Sequence, residues 1–170
     1  MVVLRCTRKL LRHLPGADNP AREPPRSTGV LGDWYANLFI ARRQHLVLAV
    51  SGRTLLPVLL PAPPYKTLCP RLAEDVAGVL RQLGVGQSGI AAEAGAMQDW
   101  VLAPTNDRRV LGSMNDFANM LESYLDGRSL TEVALHLAEA LCSPLRMESP
   151  RAATIALFTA PMGDALRGRA

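Results

Sequence analysis

The spacing of the apolar residues changes at a proline-rich stretch, and this change constrains the fold more than any other feature. Before it, residues 31–60 contain short runs rich in branched and aromatic residues, a pattern typical of β-strands. Pro61, Pro63 and Pro64 then interrupt the chain. Beyond them, leucine and valine recur at steps of three and four residues, as in amphipathic helices. The sequence therefore predicts a sheet first and helices after it.

The predicted sheet has four or five strands. An amino-terminal strand is followed by a hairpin over residues 31–50 and another strand over 55–60. Pro57 confines this strand to an edge or a bulge, because proline cannot donate a hydrogen bond to the ladder. A further strand is predicted over 100–103. We expect an α+β fold in which helices from residue 67 onward pack on a small, mostly antiparallel sheet.

Capping residues indicate where the later helices begin. Ser113 is predicted to begin the most clearly amphipathic helix, whose apolar face includes Phe117. Ser129 and Glu132 have the spacing of a capping box for the next helix. Ser149 followed by proline predicts the start of a last helix.

The length of 170 residues fits one hydrophobic core. We expect one domain over residues 1–158, with a flexible proline-rich loop over 15–29 and a disordered tail over 159–170. No apolar run approaches the roughly 18 residues that a membrane span needs. Arginines such as Arg5 and Arg8 interrupt the apolar residues of the first segment, so a secretion signal is not expected.

Charge is distributed unevenly along the chain. Residues 1–66 contain 10 Lys or Arg and 3 Asp or Glu, whereas residues 67–170 contain 9 and 12. A basic half can bind nucleic acid or another polyanion, because each neutralised phosphate releases counterions. Most of the basic residues are arginines, however, and together with the abundant alanine this is better explained by GC-rich coding.

The three cysteines, Cys6, Cys69 and Cys142, are widely separated in sequence. Neither a zinc site nor a redox pair has the spacing it would need. We expect buried thiols in a reducing cytoplasm. No phosphate-binding loop or dinucleotide motif is present, so the sequence predicts no cofactor and no metal.

The segment 105–117 is richer in polar residues than any other part of the chain. If a helix begins at Ser113, the backbone N–H groups of residues 112–115 and the side chain of Arg108 or Arg109 would form an anion site for phosphate or carboxylate. In the alternative, Ser113 and Asp116 only cap the helix and the arginine is solvated.

Three sequence blocks resemble those of a bacterial family known only as a domain of unknown function. The blocks are RCTRKLL at residues 5–11, LGDWYANL at 31–38, and Thr105-Asn106 followed by RVLGSMNDF at 109–117. The resemblance covers residues 1–158 and implies a small bacterial intracellular protein, without an activity, a cofactor or a catalytic residue. It implies that residues of the blocks belong to one polar constellation: Gly32, Asp33, Trp34, Asn37, Asn106, Arg109, Ser113, Asn115 and Asp116. Gly112 is a further candidate through its place in the helix-start anion site.

These residues leave three functions open. The first is a binding domain whose partner, an anionic ligand or a nucleic acid, contacts residues 109–115. The second is a hydrolase or transferase in which Asp33 or Asp116 acts as acid or base and Ser113 or Asn115 orients the substrate. The third is a structural network without a ligand, since such side chains are costly to bury unless they are paired. Whether the chain is an enzyme is left open.

Asn37 provides a specific structural expectation. Strand alternation places it between Tyr35 and Phe39 on one face of the sheet, where an amide needs a hydrogen-bond partner. We predict that the partner lies in the loop before the Ser113 helix, within residues 106–115.

Overall fold

The computed structural model describes residues 1–160, which form a five-stranded sheet with helices on both faces. The strand order is β4-β3-β2-β1-β5. The strands are β1 (Val2–Cys6), β2 (Trp34–Ala41), β3 (Gln44–Ser51), β4 (Pro57–Pro61) and β5 (Trp100–Pro104). The α+β class is confirmed. The tail predicted over 159–170 lies, from residue 161, outside the described residues.

The sheet is mixed: the antiparallel part that the sequence predicts is present, and a parallel part that it did not predict adjoins it. Strands β2, β3 and β4 pair antiparallel, as the hairpin predicted, but β1 runs parallel to both β2 and β5. Parallel neighbours need a long crossover connection. Residues 7–33 provide the crossover between β1 and β2, and residues 62–99 connect β4 at one edge of the sheet to β5 at the other. The apolar pattern of a strand does not reveal which neighbour it will pair with.

Six helices cover the sheet within the described residues. They are α1 (Arg8–Leu11), α2 (Leu68–Gln82), α3 (Gln87–Ala96), α4 (Arg108–Tyr124), α5 (Leu130–Leu137) and α6 (Pro150–Thr159). The capping box of Ser129 and Glu132 is present at the start of α5. Ser149 accepts the N–H of Ala152 at the start of α6, as its sequence predicts.

Helix α4 begins five residues earlier than predicted, so the prediction of a helix start at Ser113 is wrong. Asp107 is the N-cap residue, and its carboxylate accepts the backbone N–H of Arg109 at 2.8 Å. The buried stripe also extends back to Val110. The cap provided by Asp107 and the burial of Val110 in one more helical turn stabilise the earlier start more than a cap at Ser113 would stabilise the later one.

The two faces of the sheet carry separate apolar clusters. Trp34 and Leu38 of β2 face the cluster that includes α2 and α3, whereas Tyr35 faces the cluster that includes α4 and α5. Phe117 of α4 is 1 % exposed within the second cluster. This alternation is what the period of two in β2 predicted.

The proline-rich connection over residues 15–29 is bonded to the parallel side of the sheet. The Ala21 N–H donates to the Leu102 carbonyl at 2.9 Å, and the Val3 N–H donates to Ser27 Oγ at 2.9 Å. The Thr28 N–H donates to the Met1 carbonyl at 2.9 Å. These contacts hold the loop against β1 and β5 at several points.

No helix within residues 1–160 has the length and apolar character that crossing a membrane would require.

The β2–β3 hairpin turns through two arginines with left-handed backbones. Arg42 has φ 49° and Arg43 has φ 63°, the pattern of a two-residue type I′ turn. This conformation strains residues with a β-carbon, while glycine adopts it freely. Arg42 also forms an ion pair with Asp126, whereas Arg43 is exposed.

We predict that Arg43→Gly raises the free energy of unfolding by about 0.5–1 kcal/mol, because the strain relieved exceeds the added freedom of the unfolded chain. Chemical denaturation measures this change. Arg22→Gly is the matched control, since Arg22 is an exposed loop residue without a left-handed backbone. The control should be neutral or destabilising; a loss of stability in Arg43→Gly would contradict the prediction.

Candidate functional site

The turn formed by residues 29–33 precedes β2 and is hydrogen-bonded to Glu93 and to Ser51. Glu93 of α3 accepts the N–H groups of Val30 and Leu31 at 2.6 and 3.2 Å through Oε2. The Leu31 carbonyl accepts the Ser51 hydroxyl at 3.0 Å. Gly32, one of the predicted site residues, is part of this turn and has φ +75°. The LGDW block is therefore a structural turn whose backbone groups are satisfied.

Glu93 is fully buried and was not identified from the sequence. Burial raises the pKa of its carboxyl group, while the hydrogen bonds from Leu31 and Val30 act in the opposite direction. Gly29 packs so closely that a β-carbon there would lie 2.8 Å from Glu93 Oε1. The sequence signal that could have indicated a special role for Glu93 is that it is the only charged residue of the alanine-rich helix α3.

Trp34 belongs to the core and not to an open site. Its side chain is 0 % exposed, and its indole N–H and Glu93 Oε1 are both buried without a hydrogen bond of ordinary length. The indole N–H still lies near enough to lower the pKa of Glu93. We place this pair in the same structural cluster as the 29–33 turn.

The carboxylate of Asp33 is fully engaged. Its Oδ2 accepts Arg5 Nε at 2.6 Å, and its Oδ1 accepts the Ser27 hydroxyl at 2.6 Å. Arg5 also donates to the Pro104 carbonyl at 3.3 Å, so one guanidinium links β1, β5 and the start of β2. Three elements thus depend on this ion pair, and Asp33 has a structural role.

The partner predicted for Asn37 is wrong. Its Oδ1 accepts the Thr7 hydroxyl at 2.9 Å, not a group of the 106–115 loop. β2 runs parallel to β1, with Cys6 opposite Ala36, so Thr7 comes beside Asn37 at the end of β1. That pairing could not be read from the sequence, because the strand neighbours were unknown.

The hairpin and the loop before α4 do meet, but the contact is made by Tyr35, two residues before Asn37 on β2. The Tyr35 hydroxyl donates to Asn106 Oδ1 at 2.7 Å. Burial raises the pKa of the Tyr35 phenol, and the positive charge of Arg5 opposes that shift. Asn106 is exposed, so this bond closes the edge of the second apolar cluster against solvent.

A cleft of about 230 Å³ runs along one flank of α4, and we call it the α4 cleft. Its other wall is the segment 140–144 that follows α5. Four predicted site residues line it, and Asn115 on the exposed face of α4 does not. The complete lining is Arg108, Arg109, Gly112, Ser113, Asp116, Phe117, Met120, Ala140, Leu141, Cys142, Ser143 and Pro144.

The helix-start anion site is not formed as predicted. Residues 112–115 lie inside α4, where backbone N–H groups bond to carbonyls four residues earlier. Ser113 is 5 % exposed and lines the cleft from the interior of α4. The polar groups available to a ligand are therefore side chains, with Arg108 and Arg109 exposed at one end of the cleft.

A second cleft of about 170 Å³ adjoins the first and shares Arg109 and Pro144 with it. Arg53 and Asp107 are among its other lining residues. Asp107 accepts Arg109 Nη2 at 3.0 Å, and this bond lowers the pKa of Asp107. Arg109 thus stands between two clefts, with its side chain 79 % exposed.

The cysteine thiols are poor nucleophiles. Burial raises the pKa of Cys6, raises that of Cys69 to about 11, and raises that of Cys142, which the negative charge of Asp116 raises further. Each is a free thiol. Across residues 1–160, no group of three or more His, Cys, Asp or Glu is placed to hold a metal ion.

Asp33 and Asp116, the two candidate acid–base residues, occupy different surroundings. Asp33 is bound to Arg5 and Ser27, whereas Asp116 is exposed on α4 at the cleft. Neither of the two adjoining clefts contains both. The predicted constellation is divided into a structural part around the 29–33 turn and an accessible part along α4.

A family model described as "Domain of unknown function (DUF6933)" matches residues 3–153. No curated protein and no solved structure matches the chain.

We predict that Glu93 makes stability fall as the pH rises above 4.5, the ordinary pKa of a glutamate. Because the folded-state pKa is raised, the folded protein retains a proton that the unfolded chain has lost. Glu93→Gln should remove this component. The check is the difference in unfolding free energy, wild type minus variant, between pH 4.5 and 8. It should decrease with pH; a constant or rising difference would contradict the prediction. Glu74→Gln on the exposed face of α2 controls for net charge.

We predict that Thr7→Val and Asn37→Leu each destabilise by about 0.5–1.5 kcal/mol, because each breaks the same partly buried hydrogen bond. A double-mutant cycle should show coupling between these two changes. Asn37→Leu and Asn106→Ala should be additive, since Asn106 bonds to Tyr35 instead. Coupling in the second cycle, with none in the first, would show the assignment to be wrong.

Proposed function

We propose that this chain, which belongs to the DUF6933 family of unknown function, is a binding domain that holds an anionic group in the α4 cleft. The ligand is of the carboxylate or phosphate class. The proposal also includes a bacterial origin and a cytoplasmic location; free cysteines at three positions are consistent with a reducing compartment.

The observation that carries the proposal is that two exposed arginines, Arg108 and Arg109, line one cleft together with Ser113. The hydroxyl of a serine that lines a cleft can donate a hydrogen bond to an anion bound there. The guanidinium of Arg108 or Arg109 matches a carboxylate or phosphate through two parallel N–H bonds. Together these groups supply donors and positive charge, and the carboxylate of Asp107 at the same end already accepts Arg109 Nε and Nη2 at 3.3 and 3.0 Å.

Asp107 fixes the position of Arg109 at this end of the cleft. Its carboxylate accepts both the backbone N–H and the guanidinium of Arg109, which holds the arginine at the first turn of α4. The ligand would bind the remaining donors of Arg109 or displace this exposed bond. An exposed ion pair contributes little to stability, so exchange for a ligand is inexpensive.

The structural surroundings favour binding over the enzymatic alternative. Asp33 does not line the α4 cleft, and its two carboxylate oxygens are bonded to Arg5 and Ser27. The raised pKa of Cys142 leaves its thiol protonated at neutral pH. Of the groups named for catalysis, Asp116 and Ser113 line the cleft.

We predict that inorganic phosphate or citrate at millimolar concentration raises the melting temperature of the wild-type protein, because a ligand that binds only the folded state stabilises it. Arg109→Ala should weaken the binding about tenfold, since it removes a bidentate charged partner. Thermal unfolding followed over an anion titration measures both effects.

Arg128→Ala is the matched control, because it removes an equal charge beyond the opposite end of α4, about 25 Å along the helix axis. It should retain the wild-type response. Equal loss of the response in both variants would indicate a general effect of net charge. No response of the wild-type protein to any small carboxylate or phosphate would reject the proposed function.

A further inference from the structure

Large apolar side chains are exposed beside the α4 cleft. Within residues 1–160, the strongly exposed ones are Ile40, Leu141 and Met147, at 56, 65 and 57 %. Leu141 lines the cleft, and Met147 lies on the same segment after α5. Leu141 therefore belongs to one wall of the proposed binding site, and Met147 adjoins that wall, since its Sδ accepts the hydroxyl of the lining residue Ser143 at 3.8 Å.

The backbone of this wall is held in place. The Cys142 N–H donates to the Glu148 carbonyl at 3.1 Å, and the Met147 N–H donates to the Cys142 carbonyl at 3.0 Å. Arg146 and Met147 have φ 56° and 66°, a left-handed conformation that is unfavourable for residues with a β-carbon. A closed loop thus presents Met147 to solvent, and such conformations cluster at functional sites.

We propose that the α4 cleft and its wall dock an acidic peptide segment of a partner protein. A peptide carboxylate binds Arg108 or Arg109 and the Ser113 hydroxyl, and a neighbouring aliphatic or aromatic side chain packs on Leu141 and Met147. This inference rests on the proposed function and names its ligand class.

Charge and surface chemistry favour a peptide over a nucleic acid. Asp107 and Asp116 flank the arginines, and both would repel a continuous phosphate backbone. A single peptide carboxylate needs to contact only one arginine side chain. Bases bind by stacking on aromatic side chains. The aromatic residue that lines the α4 cleft is Phe117, which is 1 % exposed, while the exposed contacts are aliphatic.

The order of groups also suits an extended segment. Arg109 and Asp116 are seven residues apart on α4, a rise of about 10 Å. That span corresponds to about three residues of an extended chain. A peptide lying along the cleft would place its carboxylate at the arginine end and its apolar residue against Leu141 and Met147.

The test is a random-peptide display selection on the full chain, followed by fluorescence anisotropy of the selected peptides. Selected peptides should be enriched in Asp or Glu next to Leu, Ile, Met or Phe. Replacing their acidic residues by amides should weaken binding at least tenfold. Arg109→Ala, and separately Leu141→Ser with Met147→Ser, should each weaken binding about tenfold, and Arg128→Ala should not. All these changed side chains are exposed, and thermal melts confirm that each variant is folded.

Three results would overturn the inference. One is the absence of selected peptides, and another is selected peptides whose affinity is unchanged by the arginine or the wall variants. The third is Arg109-dependent binding of labelled RNA or DNA 12-mers without peptide selection, which would assign the site to nucleic acid. If phosphate or citrate still stabilises the wild type but not Arg109→Ala, only the peptide assignment fails; if no anion binds, the proposed function fails too.

Discussion

The buried carboxylate of Glu93 is the interaction on which the rest of the structure depends. It satisfies two backbone N–H groups of the 29–33 turn, which would otherwise be left without partners inside the protein. That turn sets where β2 begins, and β2 pairs with β1 on one side and β3 on the other. A misplaced turn would shift the register of both pairs, and a shift of one residue would exchange the two faces of the strand.

Polar contacts lead from this turn to the cleft. Asp33 fixes Arg5, and Arg5 reaches the end of β5 at Pro104. The next residues include Asn106, which accepts the Tyr35 hydroxyl, and Asp107, which caps α4 and holds Arg109. The polar residues of the sequence blocks therefore serve two purposes. Those around β2 hold the sheet together, and those at α4 remain accessible to a ligand.

Local patterns predicted the elements well. The period of two in β2, the edge position of β4 imposed by Pro57, and the Ser129 capping box are all present. Each depends on residues close together in sequence: alternation assigns faces, proline cannot donate, and a serine side chain reaches only its own helix. The start of α4 was misplaced because two local signals, Asp107 and Ser113, competed, and the packing of Val110 decided between them.

The sequence by itself thus determined the α+β class, the hairpin, most helix ends and the wealth of polar residues before α4. Only the tertiary structure decided that β1 lies between β2 and β5, which brought Thr7 to Asn37 and Arg5 to Asp33. It alone also showed that Glu93 is buried and that segment 140–144 closes a cleft over Ser113. The reason is physical: strand order and burial are set by contacts between residues far apart in the chain, and no local propensity or spacing encodes which distant surfaces will meet.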